Sequence, residues 1–336
     1  MNGIKEALND IVAGKDLTLD LSARVMTELL EGELTPSQIG ALLMGLRMKG
    51  ESAEEIAGFA KILRGLSNII SAPEGCMDTC GTGGDGAGTF NISTTVAFVV
   101  AGAGVPMAKH GNRFASSRSG SADVLEQLGV PISLSPEESS ANLHEIGMAF
   151  LFAPLYHPAM GKVGAFRREL GVRTIFNLLG PLLNPAKASY QLLGVSSIDV
   201  QQKLARALSI LGGKRAVVVV GEDGLDEVTL TGKSRAILVE EGNLTPFEII
   251  PEDYGFTLCS LEDLKGEGPE ENARVTLGIL EGKTGPKRDI VLLNAGTALF
   301  AAGRVANISE GIDLARKSLD TGKALAKLQA LREKAS

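Results

Sequence analysis

The sequence predicts an α/β protein: a small N-terminal helical domain, then a larger α/β domain with a mostly parallel central sheet. Three observations lead there. Residues 3 to 66 carry apolar residues at helical spacing between helix-start signals. A breaker cluster, Ser71-Ala72-Pro73-Glu74-Gly75, then ends that pattern. Beyond it, apolar runs of strand length alternate with helical stretches, the order that builds a sheet with helices packed on it. The expected division is residues 1–70 for the helical domain, joined by about 158–185, and 71–336 for the α/β domain.

In the first part, Thr35-Pro36-Ser37-Gln38 reads as a capping box with proline at the first helical position, and Ser52-Ala53-Glu54-Glu55 as a second box. Between them Ile39, Leu42, Leu43 and Leu46 form one apolar stripe that must be buried. A short strand, Met77 to Cys80, precedes a glycine-rich loop and an apolar helix at about 93–103. Val105–Ala108 follows as a strand, and a helix lies near Ala122 to Leu128. Met148 to Phe152, between Gly147 and Pro154, reads as a buried strand. Residues 158–180 look helical and are expected to pack back on the N-terminal helices. Ala216 to Val220 has no polar interruption, the pattern of a central parallel strand. Further helices are expected at about 199–211, 270–281, 287–302 and 308–333.

Composition narrows the function classes. A length of 336 residues suits about two domains, and 44% hydrophobic residues suffice for a sizeable core. The net charge of −7, with both signs interspersed, argues against nucleic acid as a partner. Cys76, Cys80 and Cys259 are odd in number and form no CxxC pair, so they read as reduced thiols of a cytoplasmic protein. Only three histidines are present, too few for a multi-histidine metal site beside other duties. Met1 to Gly14 is amphipathic and bears acids, unlike a signal peptide. No apolar run reaches the roughly 20 residues of a bilayer span.

The chemistry concentrates in three places. Asp78-Thr79-Cys80-Gly81-Thr82-Gly83-Gly84-Asp85 leads to Asn91-Ile92-Ser93-Thr94-Thr95 at a helix start. Glycines let the backbone approach a ligand, and N–H groups with hydroxyls at a helix start form an anion site. Asp85 repels phosphate unless a divalent cation bridges them. Residues 81–86 also match GxGxxG, but no acid stands about 20 residues on, where Met107, Ala108 and Lys109 lie, so a dinucleotide site is disfavoured. A plain structural turn has no use for the hydroxyls beyond it. Next, Lys109-His110-Gly111-Asn112-Arg113, with Ser116, Ser117, Arg118, Ser119 and Ser121, reads as a second polar loop for phosphate at a strand end. A solvated basic loop is the bland alternative. Finally, Asp226-Glu227 follows the strand at 216–220 and suits a hard cation such as Mg²⁺. Acidic pairs on loops are common, so this reading leans on the two phosphate-type loops. Spacing does not say which of Arg167, Arg168 and Arg173 faces a ligand.

Seven segments (GTGGD, NIST, KHGNR, SSRSGSAD, HPAM, RTIFNLLGPLLNP and GLDE) stand in one order over nearly the whole chain. In this combination the sequence resembles the anthranilate phosphoribosyltransferases. That resemblance implies a nucleoside phosphorylase/phosphoribosyltransferase-like fold with the site between its lobes, and a homodimer. It also implies phosphoribosyl transfer from 5-phosphoribosyl 1-diphosphate (PRPP) to the amine of anthranilate, with Mg²⁺. By position, it puts Gly81, Gly84, Asp85, Thr89, Asn91, Ile92, Ser93 and Thr94 at PRPP, together with Lys109, His110, Gly111, Asn112, Arg113, Ser116, Ser117 and Ser121. Ser93, Asp226 and Glu227 fall to Mg²⁺, and Gly81, Asn112 and Arg167 to anthranilate, with His110 and Gly180-Pro181 along its path. Lys109, Arg167, Asp226 and Glu227 form the implied catalytic set. The chain departs from the family pattern at Gly161-Lys162, Ala165-Phe166, Phe114 and Val220, which bears on the shape of the aromatic-acid channel. A pyrimidine-nucleoside phosphorylase of similar fold and a non-catalytic nucleic-acid-binding relative are the rival readings. The GTGGD and KHGNR forms disfavour the first, and net acidity the second.

Overall fold

The computed structural model describes residues 3–113 and 119–334. Its N-terminal bundle consists of α1 (Gly3–Val12), α2 (Leu19–Glu31), α3 (Pro36–Lys49) and α4 (Ala53–Gly65). Both expected capping boxes are closed. The Thr35 hydroxyl accepts from the Gln38 N–H at 3.3 Å, and the Gln38 side chain accepts from the Thr35 N–H at 2.9 Å. Ser52 and Glu55 do the same for α4. Each box satisfies two donors that a helix start leaves without intrahelical partners. Ile39, Leu42, Leu43 and Leu46 are all buried.

The remaining elements are β1 (Met77–Gly81), α5 (Ile92–Gly102), β2 (Met107–Gly111), α6 (Ser121–Gln127), α7 (Pro136–Glu145), β3 (Met148–Phe152), α8 (Ala153–Tyr156), α9 (Gly161–Leu170), α10 (Phe176–Leu179), β4 (Tyr190–Gly194), α11 (Ile198–Ile210) and β5 (Arg215–Gly221). They continue with β6 (Ser234–Glu240), β7 (Asn243–Ile249), α12 (Pro269–Leu280), α13 (Pro286–Ala301), α14 (Ile308–Asp320) and α15 (Lys323–Glu333). The sheet order is β3-β2-β1-β4-β5-β6-β7. The first five strands are parallel, and β6 and β7 run antiparallel. β1 and β4 are direct neighbours, with Gly81 opposite Gly194, although the chain visits β2 and β3 between them. The strand order therefore reverses at β1 and β4. Open α/β sheets bind ligands in the crevice outside the carboxyl ends of such a pair.

Side chains alternate across the sheet with period two. Val217 and Val219 join the core shared with α5 and α13, while Ala216, Val218 and Val220 face the core that continues into the helical bundle. Val163, Ile175, Phe176, Leu178, Leu179, Leu182 and Leu183 belong to that second core too. Residues 158–183 thus do pack back on the bundle.

Several expectations are corrected. β5 is parallel only to β4, since β6 pairs with it antiparallel. Burial on both faces, not parallel pairing on both sides, accounts for its unbroken valines. The stretch 308–333 is two helices, parted where Gly322 adopts φ +72°. Residues 158–180 are helical only in pieces, with a break at 171–175 between α9 and α10. The strand expected at 105–108 is displaced to Met107–Gly111, so Lys109 and His110 lie inside it and not in a loop. Strand β4 and the β6–β7 hairpin were not anticipated. Among the described residues no helix is long and apolar enough to cross a membrane.

Candidate active site

Three segments converge at the reversal point. The Gly83 N–H donates to Asp226 Oδ2 at 2.7 Å, and the Ser93 N–H at the start of α5 donates to Glu227 Oε1 at 3.1 Å. From β2, Lys109 Nζ donates to the Thr79 carbonyl at 2.6 Å and to Ser93 Oγ at 3.4 Å. Glycine is required where the strands end. A Cβ on Gly81 would lie 2.3 Å from Asp226 Oδ2, and one on Gly194 would lie 1.6 Å from the Asp226 carbonyl. The acid pair is thus seated directly over the ends of β1 and β4.

The electrostatics are strained in one direction. Burial, then the charge of Asp85, pushes the Asp226 carboxyl up to about 7, partly offset by the Gly83 N–H. Glu227 is raised well above the usual carboxylate range by burial and by Asp226, with Lys109 and the Ser93 N–H opposing. Asp85, Asp226 and Glu227 crowd three carboxylates into a site with one nearby ammonium. Such a site favours added positive charge. Two adjacent carboxylates and a serine hydroxyl are all oxygen donors, the set a hard divalent ion takes. Among the described residues no group of three or more His, Cys, Asp or Glu side chains is placed to hold a metal ion by itself.

Behind Lys109 lies a residue the sequence reading missed as a participant. Asp78 is fully buried; it accepts from Asn184 Nδ2 at 2.8 Å and from the His110 N–H at 3.3 Å. Burial raises its carboxyl to about 6 despite Lys109. Its position just before the glycine loop was the only sequence signal. His110 and His157 meet edge to face, Nε2 to Nε2 at 3.2 Å. Burial holds both below the usual histidine range, at about 3 and about 4, so both are neutral at pH 7 and one donates to the other.

Not every expected ligand faces the crevice. The Ile92 side chain is in the core and its N–H donates to the Phe90 carbonyl. The Thr95 hydroxyl bonds Thr276 and the Asn91 carbonyl instead of a ligand, and Thr94 is buried. The Asn91 amide links the Ser119 carbonyl to Asn272. Thr89 bridges to Lys265 in an isolated β-bridge. Arg113 pairs with Asp123 and Glu126 and stacks over Phe152 at 5.7 Å. Ser121 Oγ donates to the Asn112 carbonyl at 3.3 Å, in space that a Cβ on Gly111 would fill. Asn112 is exposed. Arg167, on α9, lies over the Phe176 ring at 5.6 Å, and burial lowers its guanidinium pKa. Phe114, Ser116 and Ser117 lie outside the described residues. A concavity of about 290 Å³ lined by Arg64, Asn184, Gln191 and Lys214 opens at the other, amino-terminal edge of β4 and β5, away from the acid pair.

Comparison with known proteins gives the family. The profile of the glycosyl transferase family, a/b domain, matches residues 74–325, and that of the glycosyl transferase family, helical bundle domain, matches residues 5–67. The chain is 64% identical to the anthranilate phosphoribosyltransferase of Desulfitobacterium hafniense (strain Y51) over 99% of both chains. It is similar to the crystal structure of the enzyme of that name from Thermus thermophilus, with TM-score 0.93, 43% identity, and coverage of 100% of this chain and 99% of that one. The Saccharomyces cerevisiae anthranilate phosphoribosyltransferase in complex with PRPP and Mg aligns with TM-score 0.89 and 29% identity, over 99% of this chain and 97% of that one.

Proposed function

The chain belongs to the anthranilate phosphoribosyltransferase family, and on that premise we propose how its residues divide the work. It transfers the phosphoribosyl group of PRPP to the amine of anthranilate, giving N-(5-phosphoribosyl)anthranilate and pyrophosphate in tryptophan biosynthesis, and uses Mg²⁺. One observation carries the assignment of the site: Asp226 and Glu227 are each held by a backbone N–H, one from the glycine loop and one from the start of α5.

The glycine-loop backbone and the start of α5 take the diphosphate of PRPP. Asp226, Glu227 and the Ser93 hydroxyl take Mg²⁺, which when bound neutralises charge on the departing pyrophosphate. Lys109, fixed inside β2 and almost wholly buried, sets a second positive charge beside Ser93 where that charge develops. Asn112 and Arg167 take anthranilate, with the guanidinium on its carboxylate. An aromatic amine is uncharged at pH 7, so no strong base is needed before attack, and neutral His110 is in keeping with that. Catalysis then consists of positioning and electrostatics. Functionally, we group 1–70 and 158–185 as the anthranilate-side lobe and the rest of 71–336 as the PRPP lobe. We also place the enzyme in the cytoplasm, where its three free cysteines stay reduced. We further propose that the chain acts as a homodimer.

Loss of anthranilate fluorescence that requires protein, PRPP and Mg²⁺ together tests the reaction. Arg167→Ala is expected to raise the KM for anthranilate by about tenfold or more while leaving that for PRPP nearly unchanged; an unchanged anthranilate KM removes Arg167 from the assignment. Sedimentation at micromolar concentration tests the dimer.

A further inference from the structure

Resting on that reading, we infer that Arg173 is a positioning residue: from the bundle side it sets the orientation of the peptide between Gly83 and Gly84, and so of the loop that receives the diphosphate. Arg173 belongs to the break between α9 and α10, and Thr174, Ile175 and Phe176 beside it are buried. Its backbone is therefore anchored. Arg173 Nη1 donates to the Gly83 carbonyl at 3.0 Å, while the Gly83 N–H is given to Asp226 at 2.7 Å. Both peptide units of Gly83 are pinned, one from each side of the crevice.

The orientation matters because a trans peptide carries its C=O and N–H in opposite directions. With the Gly83 carbonyl held by Arg173, the Gly84 N–H points away from that guanidinium. A flipped peptide exchanges donor for acceptor on each side, and an anion is bound by donors. The glycines themselves do not choose. Gly83 and Gly84 have φ of +65° and +79°, and neither carries a Cβ to resist rotation of the peptide between them. The guanidinium supplies the choice. Gly84 also makes room for it, since a Cβ there would lie 1.5 Å from Arg173 Nη1. Among the described residues Arg173 has no acidic ion-pair partner, so its charge is not spent elsewhere. A planar fork reaches a carbonyl from a fixed direction, which the ammonium of lysine does not.

The test begins with wild-type turnover of both substrates, which stands or falls with the reaction assigned above. Steady-state constants are then measured for Arg173→Ala, Arg173→Lys, Gly84→Ala and the double substitution that combines Gly84→Ala with Arg173→Ala, with thermal melts for each. Arg173→Ala is expected to raise the KM for Mg·PRPP by about tenfold, the scale of a hydrogen bond with a charged partner, without moving that for anthranilate. Arg173→Lys should restore only part of the loss. Gly84→Ala should be harmful both by straining a residue at φ +79° and by displacing the guanidinium, so adding Arg173→Ala to it should make it no worse, the shared contact being already lost. Losses that multiply, or an anthranilate KM that rises with that of PRPP, overturn the inference. The first makes Arg173 an independent ligand of the diphosphate, the second a packing residue of the lobe. If Arg173→Ala fails to fold, the same cycle is run with Arg173→Lys. If the wild type lacks the transferase activity, calorimetric titration of Mg·PRPP into the same variants still decides the role of Arg173.

Discussion

In the bundle, a charged group that leaves water is met. Glu55 is fully buried, yet it accepts the Leu17 and Ser52 N–H groups at 2.8 and 2.7 Å and pairs with Lys49 at 3.1 Å. At the carboxyl edge of the sheet, Asp226 and Glu227 are desolvated beside Asp85, which raises the proton affinity of both, and Asp226 raises that of Glu227. The same residue class is thus used in two ways. In the bundle a buried carboxylate joins α4 to α3 and the chain entering α2. In the crevice, the carboxylates repel one another, with Lys109 as the opposing charge. Local rules are obeyed where the molecule only needs to fold and broken where it has to act.

Removing the repulsion should make the sharpest break. Asp226→Asn with Glu227→Gln is expected to lower turnover by about two to three decades. Without Mg²⁺ the same variant should melt above the wild type at pH 8, because two raised carboxyls no longer ionise in the crevice. A wild-type rate, or a lower metal-free melting point, would put these acids on the same footing as Glu55. The reverse pattern is expected in the bundle. Leu42→Ala, at a fully buried site, should cost about 2–5 kcal/mol by denaturant titration and leave both KM values unchanged.

The histidine pair sharpens the contrast through pH. Both rings are held below the unfolded value of about 6.5, at about 3 and about 4. The unfolded chain therefore binds protons first as pH falls. This contribution to stability is complete above about pH 6.5 and is lost as pH drops toward 4. Asp78, Asp226 and Glu227 act in the opposite sense, so the informative quantity is a difference. Between pH 7 and 4.5 the melting point of His157→Gln should fall less than that of the wild type; equal slopes would mean the pair does not titrate as described. Smallest is Thr35→Ala, which opens one capping box and should cost about 1 kcal/mol without any effect on activity.

The same contrast explains what was legible in the sequence. Capping boxes and the Ile39 to Leu46 stripe are local, and they appear in the structure as read. The acid pair, the glycine loop and the start of α5 were recognised as chemistry, and they do converge. Partners distant in sequence were not legible. Lys109 looked like a loop residue because a lysine inside a buried strand is costly, and the Thr79 carbonyl and Asp78 that make it tolerable come from β1. Thr95 was counted with the ligand-facing hydroxyls, but Thr276 claims it from the core side. The β6–β7 hairpin escaped notice because its turn is Glu241-Gly242, both with positive φ, where glycine or asparagine is the usual signal. Pro246 in β7 further disguised an edge strand.

The two hydrogen bonds that define the crevice span 143 and 134 residues of chain. During synthesis the glycine loop therefore leaves the ribosome long before the carboxylates that seat it. At about 5–20 residues per second, the loop waits roughly 7 to 29 s for Asp226. A nascent chain can form its helical bundle locally in that interval, but its crevice is not closed until its β5 strand and the turn beyond have been made.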